Sequence, residues 1–316
     1  MNIYDKPPLT FEQQIKLLKD RGLIIADEKT AKEKLESISY YRLSAYMLPF
    51  KKNIGGNLSD DFRFGTTWED IYNLYKFDRK LRLLLFDAIE KIEVAVRCRL
   101  VYSLSHKYGS HWQDDPSLFK EPYTKILSDG STRIVDTFSD IQLHIKDRLE
   151  NNEAEVFIKH YKSHYDTPSN PPSWMCFEVM YFNHLSRICS SLKNRSDLTE
   201  ISYFFGWLPP KTFNSWLHTI NYVRNLCAHH ARLWNRDFDI VPEKFERSKN
   251  LIWISNPDTV RRGKIYYFLC IVNYLLQTIN PNSSFKSRLK ALLMEYRPKI
   301  AAMGFPEKWE KEDMWR

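Results

Sequence analysis

The densest run of side chains able to do chemistry lies in NYVRNLCAHHARLWNR, from Asn221 to Arg236. His229 offers an imidazole, the side chain best suited to take or give a proton. Arg224 stays charged and can grip two phosphate oxygens at once, and Asn225 can orient a phosphate or an imidazole without adding charge. Counted at helical spacing, Trp216, Ile220, Val223 and Cys227 form an apolar stripe, whereas Asn221, Asn225, His229, Arg232 and Arg236 form a second stripe made wholly of hydrogen-bonding groups. A merely solvated face would more often carry Lys and Glu. Arg224, Ala228 and Ala231 fall between the stripes, and the two alanines leave room for a second helix to approach closely, as at a dimer seam. Asn225 and His229 share one face. Arg224 sits about 140° round an ideal helix from His229, so one straight helix presents that pair poorly and two copies across a seam present it better. His230 points elsewhere and is expected to pack or to support the site, with Asn221, Arg232 and Arg236 as further supporting or RNA-contact candidates.

The elements that must hold these residues are expected to be helices. Apolar positions recur at three- and four-residue spacing almost throughout, no long stretch alternates as a strand would, and glycine is scarce, with 9 in 316 residues. The fold class expected is therefore all-α. Thr10 with Gln13 reads as a capping box and Gly22 as the end of that first helix. A second helix is expected from about Asp27 to Ser37, and a third, carrying Tyr40, Tyr41 and Arg42, ends near Pro49. Residues 1–55 form a small N-terminal helical unit, Lys51 to Gly65 a linker, and 66–316 the main helical domain, with an irregular helical insertion at about 107–172. One long helix is expected from Trp68 to Ser105, burying Leu74, Phe77, Leu81, Leu84, Leu85, Ala88, Ile92 and Val96. Asp78–Arg82, Asp87–Lys91 and Glu93–Arg97 read as exposed ion pairs along it, with Glu90 or Glu93 a weaker candidate for facing the site. Further helices are expected at Trp174–Lys193, Asp197–Phe205, Lys211–Asn235, Val260–Ile279 and Ser284–Glu295.

Other candidates are weaker. Cys227 lies on the apolar stripe and reads as core rather than nucleophile. His160 and His164 have ligand-like spacing but no adjoining carboxylate or cysteine, so they read as surface histidines and no metal site is expected. No glycine-rich nucleotide loop is present and no cofactor is expected. The five cysteines form no close pair, and MNIYDKPP has no apolar core, so a reduced, cytoplasmic protein without a membrane span is expected. A net charge of +8, from 47 Lys+Arg against 39 Asp+Glu, permits a nucleic-acid partner without demanding one. Basic and aromatic residues mingle around Arg42, around Arg261 and Arg262, and between Lys286 and Lys299, as RNA-binding surfaces do and as ordinary basic helical surfaces do.

Arg224, Asn225 and His229 spell RNxxxH, the signature of the HEPN superfamily, which includes many metal-independent endoribonucleases. The longer string VRNLCAHHARLWNR resembles the abortive-infection (Abi-like, AbiD/AbiF-type) family of bacterial phage-defence proteins. KPPLTFEQQIKLLKDRGL, SYYRLSAYMLPF, YKFDRKLRLLLFDAIEKIEVAVR, PPSWM and MGFPEKW resemble the same family's landmarks in the same order. The resemblance implies a HEPN-type helical bundle, a homodimer with paired Arg and His in a shared cleft, and RNA cleavage in the bacterial cytoplasm. The implied products carry a 2′,3′-cyclic phosphate or 3′-phosphate and a 5′-hydroxyl. It also implies restraint from outside the chain, with a small noncoding RNA as a candidate partner. Two other readings stay open from the residues alone: a non-catalytic module that binds a structured RNA in the same basic cleft, and a helical scaffold whose polar stripe only pairs with its own dimer mate.

Overall fold

The computed structural model describes residues 7–127, 129–150 and 155–316, so the leading MNIYDK lies outside the described residues. Regular structure among them consists of twelve α-helices and two small antiparallel hairpins, an all-α protein as the periodicity implies. The chain divides into two compact units, Met1–Leu83 with Leu289–Lys299, and Leu84–Arg288 with Ile300–Arg316.

In the first unit α1 (Phe11–Asp20) begins with the expected capping box. The Gln13 N–H donates to Thr10 Oγ1 at 3.3 Å while the Thr10 N–H donates back to Gln13 Oε1 at 2.8 Å. It ends with Gly22 at φ +86° and the Leu23 N–H on the Leu18 carbonyl, a left-handed stop that glycine adopts without steric cost. α2 (Glu28–Ile38) is capped by Asp27, and α3 (Tyr40–Met47) follows after Ser39. The expected linker is instead a hairpin, β1 (Lys51–Ile54) pairing antiparallel with β2 (Asn57–Phe62). Gly55 and Gly56 both take positive φ and make its turn. These strands are almost wholly exposed, so they carry little of the apolar alternation by which a strand is recognised.

α4 (Trp68–Tyr108) begins in this unit and buries the stripe read from the sequence, from Leu74 and Phe77 to Ile92 and Val96. Its first ion pair is not exposed. The Asp78 and Arg82 side chains are 0% and 6% accessible, and Tyr46 Oη donates to Asp78 Oδ2 at 2.7 Å while Arg82 Nη1 contacts both. An acid four residues before a base looks the same in sequence on either face of a helix; the tyrosine that completes the buried cluster comes from α3. Burial, reinforced by the Asp78 charge, pushes the Tyr46 phenol pKa upward. Asp87–Lys91 is half-exposed, and Glu93–Arg97 is mostly sheltered.

The second unit holds the rest of α4 and, within the expected insertion, β3 (Tyr123–Ile126) and β4 (Thr132–Val135), α5 (Thr137–Glu150) and α6 (Val156–His164). The single helix expected over Trp174–Lys193 is broken into α7 (Ser173–Cys176), a 3₁₀ turn, and α8 (Phe182–Ser191). At the break, Arg97 Nη2 donates to the Met180 carbonyl at 3.1 Å, and His144 of α5 hydrogen-bonds the backbone of Val179, so groups that a continuous helix would use internally are engaged by neighbours. α9 (Arg195–Phe204) leads through Gly206 to α10 (Pro210–Ala228). A Cβ at Gly206 would sit 2.4 Å from Leu251 Cδ1, and its carbonyl accepts from Tyr274 Oη at 2.7 Å. α11 (Ile265–Ile279) is apolar on nearly every side and buried accordingly, and α12 (Phe285–Tyr296) follows, belonging to the first unit from Leu289 on. Among the described residues no helix is long and apolar enough to cross a membrane.

α5 and α8 meet at a histidine pair. The His144 and His184 rings lie 4.0 Å apart, and His144 Nε2 and His184 Nδ1 are buried without hydrogen-bond partners. Desolvation, aided by His144 and then Arg187, pushes the His184 pKa down to about 4, and desolvation lowers that of His144 too. Asp140, Asp147, Arg148 and Arg187 complete the charged surroundings. A depressed histidine pKa means that the unfolded chain binds the proton more readily. This contribution to stability is therefore full above about pH 6.5 and is lost as pH falls toward 4. Thermal denaturation at pH 7 and pH 5 should show a drop in Tm for the native protein and a smaller drop for His184→Gln; equal drops would contradict the assignment.

Candidate functional site

α10 presents the motif. Trp216, Ile220, Val223 and Cys227 are buried, as the apolar stripe requires. Trp216 anchors the helix by meeting Trp253, Phe245 and Tyr274 at ring separations of 5.3, 5.6 and 5.7 Å and by donating Nε1 to the Glu243 carbonyl at 3.1 Å. Asn225 and His229 stand exposed on the outer side, and Asn221 and Arg224 are half-exposed. Arg224 lies with its guanidinium 6.0 Å from the centre of the Phe86 ring of α4 and donates Nη1 to Asn225 Oδ1 at 3.4 Å. The aromatic face and the amide hold the guanidinium in place with neither contact neutralising its charge. His229 is joined to Asn225 only through the backbone, its N–H donating to the Asn225 carbonyl at 2.9 Å. Among the described residues the His229 ring makes no hydrogen bond, so both of its nitrogens are open to a substrate.

The helix does not run on to Asn235. His229 is its C-cap, and His230 follows at φ +57°, with the His230 N–H on the Cys227 carbonyl at 3.1 Å and the Ala231 N–H on the Leu226 carbonyl at 2.8 Å. This is a complete Schellman stop with histidine in the left-handed position that glycine usually takes. The polar stripe is therefore corrected: Asn221, Asn225 and His229 belong to it, whereas Arg232 and Arg236 lie beyond the helix, as does Ala231, expected at the seam. The chain after the stop buries Leu233 and Trp234 and returns beside α10. There Tyr222 Oη donates to Asp239 Oδ2 at 2.8 Å and the Glu243 N–H donates to Ser215 Oγ at 2.8 Å. Burying those two side chains is what ends the helix; with neither glycine nor proline at the stop, the helical period reads on unbroken in the sequence. His230→Gly relieves a left-handed cost of about 1–2 kcal/mol, offset in part by the roughly 0.5–1 kcal/mol of extra conformational freedom that glycine loses, and should raise the Tm. A lowered Tm would show that contacts of the imidazole outweigh the strain.

The weaker candidates are scattered. Arg261 pairs with Asp237 at 3.0 Å, Arg262 Nη1 donates to the Pro242 carbonyl at 3.0 Å, and Arg42 lies exposed on α3. His160 and His164 are exposed on α6. His218 was missed although the count could have found it: it stands seven residues before Asn225 and eleven before His229, within about 20° of both round the helix. It is exposed on the same outer side of α10. Desolvation and then Lys125 of β3 hold its pKa below the usual histidine value.

An all-α protein with Arg224 and Asn225 joined by a hydrogen bond and His229 open at the end of one buried-faced helix is the class that fold and site define. The chain belongs to the family of Abi-like proteins, whose profile matches residues 33–235, the greater part of its length and the whole of this site. No curated protein and no solved structure matches it.

Proposed function

We propose that this protein acts in abortive infection, the phage defence associated with Abi-like proteins, as a metal-independent endoribonuclease. The observation that carries the reading is the arrangement at the end of α10: a positioned, unneutralised Arg224 beside Asn225, and an exposed His229 ring with no hydrogen bond among the described residues. In the reaction, the 2′-oxygen of the substrate attacks the adjacent phosphorus while an imidazole takes its proton. The bond from phosphorus to the 5′-oxygen breaks, and a protonated imidazole supplies the proton that makes the 5′-hydroxyl. The other product is a 2′,3′-cyclic phosphate. Arg224 holds the extra negative charge on the non-bridging oxygens during the attack, and Asn225 keeps the guanidinium turned toward them. Base and acid are two histidines, and the chain supplies one RNxxxH, so the working form in this reading is a homodimer.

The test is to incubate the purified protein with total RNA in EDTA and determine the chemistry of the ends. New 5′-hydroxyl ends with cyclic phosphates support the reading. RNA that stays intact while co-purifying with the protein would favour a binding module instead.

A further inference from the structure

The hairpin of β3 and β4 is the most exposed element of the second unit, and its register sets Lys125 opposite Arg133. Residues directly opposite in an antiparallel pair project from the same face. Two cations so placed repel each other and cost the hairpin stability. Among the described residues neither has an ion-pair partner. Lys125 lies near enough to His218 for its charge to lower the imidazole's pKa, so this strand reaches the His218 end of the outer side of α10, the side that Asn225 and His229 share. Along the helix, His218 lies about 10 Å from Asn225 and about 16 Å from His229. Arg133 thus flanks Lys125 and Lys125 reaches His218, three basic side chains from two elements about two to three helical turns from the motif, and an anion would relieve the repulsion.

We infer that Lys125, Arg133 and His218 form a phosphate-holding subsite for single-stranded RNA, a few nucleotides along the strand from the position of His229. The nature of the polyanion rests on the nuclease reading; the placement of the subsite rests on the hairpin register and the helix face. A single strand laid along α10 would set one phosphate between the hairpin and His218 and a later one at Arg224 and His229. Tyr123, on the same hairpin face as Lys125, supplies an aromatic surface for a base.

The experiment measures binding of a labelled single-stranded 12-mer RNA by anisotropy in EDTA, across a salt series, with His229→Ala as the parent. Lys125→Glu with Arg133→Glu in that background should weaken binding at least about tenfold and lower the salt slope by about 1.4, the share of two phosphate contacts to a single strand. Both residues are exposed, and the milder pair Lys125→Gln with Arg133→Gln, expected to show a smaller loss, guards against misfolding. A matched reversal at the exposed Lys159 and Lys308 should change little. Unchanged binding by the hairpin variants, an equal loss in the matched control, or no binding by the parent would each overturn the subsite. Cleavage by the native protein is scored separately. A native protein that does not cut RNA, with hairpin-dependent binding intact, sinks the nuclease reading alone; cleavage with hairpin-independent binding sinks the subsite alone.

Discussion

His229→Ala should reduce RNA cleavage by on the order of 10² to 10⁴-fold, the usual worth of a positioned proton-transfer group, and leave RNA affinity within about threefold. The structure gives the reason for that separation. The imidazole stands exposed at the C-cap of α10, while the phosphate grip is proposed for Arg224, seated against Phe86 and Asn225. Rates in EDTA and binding to a non-cleavable RNA, measured on the same preparations, check both halves. If cleavage survived the substitution, the nuclease would have to use other groups. If Tm fell instead, His229 would be part of a scaffold.

Asp78→Ala should destabilise the first unit by about 3–5 kcal/mol, because it strands Arg82 as an uncompensated buried charge. The Tyr46 hydroxyl would lose its acceptor as well. Replacing both charges together, Asp78→Leu with Arg82→Met, should cost far less, since the desolvation of the pair is removed along with its attraction. Thermal unfolding of the three proteins decides this: a double variant no better than Asp78→Ala would mean that the pair stabilises by more than mutual neutralisation. Neither substitution lies in the unit that carries the motif.

The difference between the two effects mirrors what could be read from residue order. The capping box at Thr10, the buried stripe of α4 and the apolar stripe of α10 were legible because each depends on contacts within three or four residues. Asp78–Arg82 was legible as a pair but not as a buried one, since Tyr46 lies 32 residues away in sequence. The end of α10 was hidden for a related reason. It is imposed by burial of Leu233 and Trp234 and closed by a histidine in a glycine conformation, so periodicity ran on through Asn235. Arg224 and Asn225 were recognisable by type and spacing, but the Phe86 ring beneath the guanidinium belongs to another helix. His218 needed only a longer count along the same face; the hairpin beside it did not announce itself, because its strands are short and exposed.

The central claim, a catalytic site shared between two copies, is tested most directly by mixing. In this reading the base and the acid are the two His229 side chains of one dimer, so a dimer of one native and one His229→Ala chain is expected to be inactive. Equal amounts of native and His229→Ala chains, unfolded and refolded together, pair at random and leave about a quarter of the dimers native. Cleavage near a quarter of that given by the same total amount of native protein is the result expected. Cleavage near half, from a mixture shown to contain mixed dimers, would contradict the shared site.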